Sequence, residues 1–348
     1  MKALIKGTRE IGLELVDMPN PELGNNDVLI KVSAASICGS DVPIYYWDDV
    51  WTRNVVKSNQ IIGHEFCGTV VEVGRDVNTV KAGDFVSAEG HLFCNECFHC
   101  KIGEKHICPN LRLVGFDYPG AFAEYIVIPS RNIVHIPLEI PPEVGSILDP
   151  LGNVVHACSK LPMVNSTVFI SGCGPLGLMA TLVSKLSGAR TVIASDISNY
   201  RLDLAKKLGA NITINPNENG FSDAISSFSA DQGKIDVHLE MSGSANGLIT
   251  GLTVLRPGGY SALVGLFKDE VTLNISDLII AKGLTIQGII GREIFTTWTE
   301  TFRFLERISA SNYAPLISLI THKIPIENFK EGFELMRSKT SGKIVFVF

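Results

Sequence analysis

Four cysteines crowd one short stretch: Cys94-x-x-Cys97-x-x-Cys100 and then, after seven intervening residues, Cys108. Thiolates at this density suit a closed tetrahedral zinc site, in which the metal holds the loop rather than reacts. Unliganded buried thiols fit poorly with a loop so rich in Gly, His and charge. His99 and His106 lie in the same loop and are expected on its surface rather than as ligands. A second set of donors is dispersed: Cys38 in Ile37-Cys-Gly-Ser-Asp41, His64 and Glu65 in Gly63-His-Glu-Phe66, and Asp149 in Leu148-Asp-Pro-Leu-Gly152. A thiolate, an imidazole and a carboxylate can hold zinc and leave a position open for a reacting oxygen. Each is weak evidence alone, because a single Cys or His is usually a packing or hydrogen-bonding residue.

The stretch Gly172-Cys-Gly-Pro-Leu-Gly177 gives the dispersed donors a partner chemistry. It closes a β-like run, Ser166–Ser171, and opens a helix-like run, Leu178–Leu186, which is where a dinucleotide fingerprint belongs. In such a turn the first glycine permits the bend, the second admits a pyrophosphate, and the third packs helix on strand; Gly172, Gly174 and Gly177, with Pro175 and Leu176 between, take those places. A following apolar run, Thr191–Ser195, ends in Asp196, placed as an acid that binds ribose hydroxyls and disfavours a 2′-phosphate. NAD is therefore the expected cofactor. An open zinc site lowers the pKa of an alcohol, whose carbon can then give hydride to a nicotinamide.

These groups must be carried by two kinds of domain. Up to about residue 150 the chain reads as strands and turns, among them Met1–Lys6, Asp27–Ser33, Cys67–Val73 and Tyr125–Ile128. Past Pro141-Pro142 strands alternate with helices such as Tyr200–Leu208, as in βαβ units on a parallel sheet. Further strands are expected at Ile235–Leu239, Tyr260–Val264 and Leu284–Gln287. A helix over Thr299–Ile308, a second over Phe329–Met336 and a last strand, Gly342–Phe348, form a tail that should rejoin the first domain. The 348 residues suffice for two cores, and 45% hydrophobic with 19% charged residues is an ordinary globular balance. A net charge of −6 with scattered Lys and Arg offers no nucleic-acid footprint, and no apolar run is long enough to span a bilayer. The start lacks the apolar run of a signal peptide, so the eight cysteines are expected in a reducing cytoplasm, where clusters bind metal.

On these residues the chain resembles the zinc-dependent medium-chain alcohol dehydrogenases and, within them, the threonine 3-dehydrogenases. The closer likeness rests on Tyr46-Trp-Asp48, Ser87–His91, Pro119–Tyr125, Asp149–His156, Glu240-Met-Ser-Gly243 and Gly291–Trp298. The resemblance implies an α/β architecture: a β-rich GroES-like catalytic domain, residues 1–150 and 292–348, and a doubly wound parallel-sheet Rossmann domain, residues 151–291. It implies a catalytic zinc on Cys38, His64 and Glu65, with Asp149 a fourth ligand or close partner, beside a structural zinc on the four-cysteine loop. It places Arg201 beside the adenosine and extends the cofactor contacts to Val264, Gly265, Leu266, Ile289 and Ile290. It also implies a homodimer or homotetramer, with the Leu284–Ile290 run suited to an exposed sheet edge.

One position departs from the pattern. Threonine dehydrogenases carry a hydroxyl residue two positions after the zinc cysteine and a histidine three further on, which relay the alcohol proton. Ser40 keeps the hydroxyl, whereas Pro43 has no ionisable group; His91 and His156 are the substitutes to consider. A cysteine-glycine-serine-aspartate run ending in proline is similar to the galactitol-phosphate dehydrogenases. Two substrate readings follow: oxidation of L-threonine to 2-amino-3-oxobutanoate, or of a polyol or its phosphate. A scaffold that has lost its chemistry has no need of an open zinc site. A zinc-free quinone reductase has no need of the cysteine loop.

Overall fold

The computed structural model describes residues 1–48, 56, 59–230 and 235–348, and divides into two compact units: Met1–Pro150 with Leu316–Phe348, and Leu151–Pro315. The first unit is built on a seven-stranded sheet centred on the long strand Asp27–Ser36. Glu65–Val73 pairs antiparallel with one edge of that strand and Tyr125–Pro129 with part of it, while the C-terminal strand Lys343–Val347 pairs with its end, Val345 opposite Ser36. The apolar side chains of these strands, among them Ile30, Phe66 and Phe346, make a core with Phe122 from the segment before Tyr125–Pro129, and the helix Phe329–Ser338 closes it with Phe329 and Phe333. Antiparallel neighbours let the chain end and the chain start share one sheet, so a tail more than 300 residues away supplies part of the first unit.

The second unit is a six-stranded parallel sheet in the order Ile212–Ile214, Thr191–Ser195, Thr167–Ser171, Ile235–Glu240, Leu255–Leu263, Thr285–Gly288. The central strand Thr167–Ser171 is buried along its whole length, as a strand covered on both faces must be. Helices Pro175–Leu186, Asn199–Lys207 and Ala245–Val254 make the crossovers. The reversal of strand order falls beside Thr167–Ser171, so the glycine loop that follows this strand sits at the switch point where such sheets take their ligands. Thr285–Gly288 is an edge strand, with Leu255–Leu263 its partner among the described residues.

The return to the first unit comes at Leu316, not at residue 292. The reason is packing: Arg292 is fully buried against Gly152, where a Cβ would lie 2.3 Å from its Cδ, and its guanidinium lies 5.2 Å from the Trp298 ring centre. Helix Thr296–Ser309 buries Trp298, Phe304 and Leu305, and Arg307 donates to the Leu186 carbonyl at 3.0 Å. Periodicity showed a helix here but could not show which sheet it covers. Among the described residues no helix is long and apolar enough to cross a membrane.

Candidate active site and dinucleotide loop

Sheet register assembles the dispersed donors. Ser36 stands opposite Glu65, so Cys38, two residues beyond the end of one strand, and His64, one before the start of the other, meet at the same end of the sheet. One ligand atom from each of Cys38, His64 and Glu65 lies within 4.8 Å of the others. Gly63 makes the approach possible: it has φ +88°, and a Cβ there would overlap the Phe122 ring at 2.3 Å. Asp41, fully buried, accepts the Cys38 N–H at 2.8 Å through Oδ2 and sets Oδ1 3.6 Å from His64 Nδ1. Burial pushes the Asp41 carboxyl up to about 6, and although burial works against it, Asp41, Cys38 and Asp149 together raise His64 to about 10. Acidic groups gathered around one imidazole make a pocket that favours a cation.

Glu65 is shared. Its Oε2 accepts from the Ser36 hydroxyl and from the buried Lys343 ammonium, while Lys343 also donates to the Ile37 carbonyl at 2.7 Å. Its Oε1 is buried with no hydrogen-bond partner, as are Asp41 Oδ1 and His64 Nδ1. Asp41 Oδ1 and His64 Nδ1 face each other at 3.6 Å, which leaves Glu65 Oε1 as the buried acceptor suited to a cation, since buried polar groups are otherwise paired. Asp149 is not part of the cluster: it lies on the turn that starts the helix Leu148–Ser159, near Gly90, and acts on His64 through its charge. Ser40 occupies the position before the helix Asp41–Tyr46, and its hydroxyl makes no capping bond. Pro43 falls in the first turn of that helix, where a missing N–H costs nothing.

Neither alternative histidine is loose. His91 Nδ1 bonds the buried Glu89 carboxylate at 2.8 Å, and His156 Nδ1 donates to the Gly291 carbonyl at 2.9 Å. In the cysteine loop the four sulfurs are gathered, with Sγ–Sγ distances of 3.5 Å for Cys94 and Cys108, 3.7 Å for Cys97 and Cys108, and 3.9 Å for Cys94 and Cys100. A tetrahedral zinc with bonds of about 2.3 Å has edges of about 3.8 Å, so the cage fits that ion. Backbone N–H groups of Glu96 and Cys97 pull the Cys94 thiol down to about 6, toward the thiolate that a metal binds. His99 and His106 are both half-buried, and neither gives an atom to the cage.

The three glycines of the loop Gly172–Gly177 have different surroundings. Gly172 has φ +90° and touches Ser242, and a Cβ on Gly177 would lie 1.8 Å from the Gly172 carbonyl oxygen. Gly174 is different: the nearest neighbour of an added Cβ is Arg201 Nη1 at 3.9 Å, so space is open there. Helix Pro175–Leu186 starts at this point with no side-chain cap, leaving its first N–H groups to an anion. Asp196 accepts from the Cys173 N–H at 2.6 Å and the Ser198 N–H at 2.8 Å, and retains lone pairs for further donors. Arg201 is buried beside it. Val264 and Gly265 are bound through their N–H groups to the Glu240 carbonyl, Leu266 and Ile290 are largely exposed, and Ile289 is buried. Residue types alone did not single out Asp41 or Lys343. The run Cys38-Gly-Ser-Asp41 held a local hint of the first; Lys343 lies 278 residues from Glu65 and left none.

Comparison with known proteins agrees with this geometry. Residues 24–138 match the family described as alcohol dehydrogenase GroES-like domain, and residues 175–307 the family described as zinc-binding dehydrogenase. The chain is 42% identical over 347 residues to an L-threonine 3-dehydrogenase of Bacillus subtilis (strain 168), covering 100% of this chain and 98% of the relative. It is 41% identical over 345 residues to an L-threonine 3-dehydrogenase of Proteus mirabilis (strain HI4320), covering 99% of each. Among solved structures it superposes on galactitol-1-phosphate dehydrogenase from Escherichia coli with a TM-score of 0.88 at 26% identity, over 100% of both chains.

Proposed function

Because this chain belongs to the zinc-dependent alcohol dehydrogenase family, we propose that it oxidises the secondary alcohol of L-threonine to 2-amino-3-oxobutanoate with NAD as acceptor. The observation that carries the reading is the cluster of Cys38, His64 and Glu65, with Glu65 Oε1 buried and unbonded, in a chain 42% identical end to end to a threonine 3-dehydrogenase. When bound, zinc supplies Lewis acidity toward an alcohol oxygen and NAD accepts the hydride. Cys38, His64 and Glu65 hold the metal, and Asp41 keeps the first two in place through the Cys38 N–H and the His64 ring. Asp149, outside the cluster, modulates the metal's charge or completes its ligands. Ser40, with no cap bond to make, accepts the substrate proton and passes it through the nicotinamide ribose or ordered water toward solvent.

In the second unit Gly172, Gly174, Pro175, Leu176 and Gly177 receive the pyrophosphate. Asp196 takes the ribose hydroxyls and so selects NAD over NADP, an effect Arg201 tempers. Cys94, Cys97, Cys100 and Cys108 hold a second zinc that is structural. Thr285–Gly288, paired on one side only among the described residues, joins two copies of the chain into a dimer or tetramer.

Pro43 favours a second reading, a polyol or polyol phosphate as substrate, and the likeness to galactitol-1-phosphate dehydrogenase supports it. The two are separated by kcat/KM for L-threonine, sorbitol and galactitol 1-phosphate, each with NAD and with NADP. The proposal requires L-threonine with NAD to lead; a higher value for either polyol would replace the substrate, and a higher value with NADP the cofactor. Pro43→His sharpens the comparison: faster threonine oxidation marks a threonine enzyme with a weakened relay, and loss of polyol activity marks a pocket in which proline makes room.

A further inference from the structure

Strand Ile235–Glu240 ends in a carboxylate that is fully buried. Glu240 Oε1 accepts from the Ser242 N–H at 2.9 Å and from the Ser242 hydroxyl, and Oε2 accepts from the Gly243 N–H at 3.1 Å. Its backbone carbonyl accepts from Val264 at 2.9 Å and Gly265 at 3.0 Å. One residue thereby ties the turn after its own strand to the turn after the neighbouring strand. The Ser242 hydroxyl carries the order further, accepting from Ser244 N–H at 3.0 Å, and Ser244 caps the helix Ala245–Val254. The arrangement has no slack. An added Cβ would lie 2.7 Å from Ser242 Cβ on Gly172, 2.2 Å from the Leu266 carbonyl oxygen on Gly243, and 2.5 Å from Glu240 Oε2 on Gly265.

We infer that Glu240 is a positioning residue for the cofactor: it fixes the Ser242–Gly243 turn against Gly172, and through that contact the shape of the glycine loop, without touching the ligand. The inference rests on the dinucleotide reading of that loop. A carboxylate is required because donors arrive at both oxygens. An amide would set an NH2 group against one of the two N–H groups and push the turn away. A role confined to holding the sheet together would instead be shared with Asp236, which lies at the other end of the same strand and accepts from the Thr167 N–H at 2.8 Å and from Arg256 Nε at 2.7 Å.

NADH titration followed by fluorescence, with thermal melts, on zinc-replete wild type, Glu240→Gln, Ser242→Ala and Asp236→Asn tests this. Glu240→Gln should weaken NADH about tenfold and raise KM for NAD while kcat at saturating NAD stays within about threefold. Asp236→Asn should bind NADH like wild type even where its melting temperature falls as far. Ser242→Ala should weaken NADH about threefold, and it carries the test if Glu240→Gln does not fold. Wild-type affinity in Glu240→Gln, or in Ser242→Ala when that variant stands alone, would overturn the inference, as would equal loss in Asp236→Asn. A wild type that binds no NADH would instead overturn the dinucleotide reading, and the inference with it.

Discussion

The Ser40 hydroxyl stands at the start of the helix Asp41–Tyr46, two residues past Cys38, with no cap bond to occupy it. If it moves the substrate proton, Ser40→Ala should lower turnover by about 10²-fold or more, with zinc content unchanged by metal analysis. Wild-type turnover in that variant would remove Ser40 from the reaction. A different residue governs acid stability. His238 is fully buried, its ring between Ser171 Oγ and Ser261 Oγ at 3.0 Å each, and burial lowers its pKa to about 3. The unfolded chain takes up a proton near pH 6.5 and the folded chain does not until near pH 3, so stability falls as pH drops through that window. The slope should approach ~1.4 kcal/mol per pH unit from this residue alone, and denaturant midpoints should show a shallower dependence in His238→Gln. Equal slopes would assign the acid loss to other groups.

At the scale of elements, the glycine loop yields opposite outcomes from one change of residue. Gly177→Ala drives a Cβ into the Gly172 carbonyl, so it should lower the melting temperature sharply, with a stability loss of about 1–3 kcal/mol, as overpacking typically costs. Gly174→Ala meets open space and should melt like wild type yet bind NADH at least about tenfold more weakly, because the added methyl takes room meant for a phosphate. Calorimetry beside NADH titration separates them, and equal behaviour would dissolve the division of roles. Much of this was legible in the sequence. Thr191–Ser195 and Asp27–Ser33 announce themselves by β-branched runs, though the second strand runs on to Ser36, and the loop announces itself by its spacing. Packing partners were not legible: helix Thr296–Ser309 is amphipathic wherever it docks, so its membership of the second unit depended on Arg292 and Gly152. The distance of Asp149 from the metal cluster likewise depends on how helix Leu148–Ser159 starts, not on residue type.

For the whole molecule, the two proposed metal sites should fail differently. Cys97→Ser should lose one zinc per chain and much of its thermal stability, whereas Cys38→Ser should lose the other zinc and its turnover while melting near wild type. A single zinc in the fully active wild type would refute two sites. Sedimentation should show dimers or tetramers at working concentration, joined through Thr285–Gly288; monomer alone would leave that edge without its proposed partner. The central claim, that Cys38, His64 and Glu65 serve hydride transfer from threonine to NAD, meets its most direct test in isotope transfer. L-threonine carrying deuterium on its carbinol carbon is incubated with NAD and zinc-replete enzyme, and the reduced cofactor is weighed by mass spectrometry. The account predicts deuterated NADH from wild type and none from Cys38→Ser. Unlabelled NADH, or no NADH at all from the zinc-replete wild type, would contradict it.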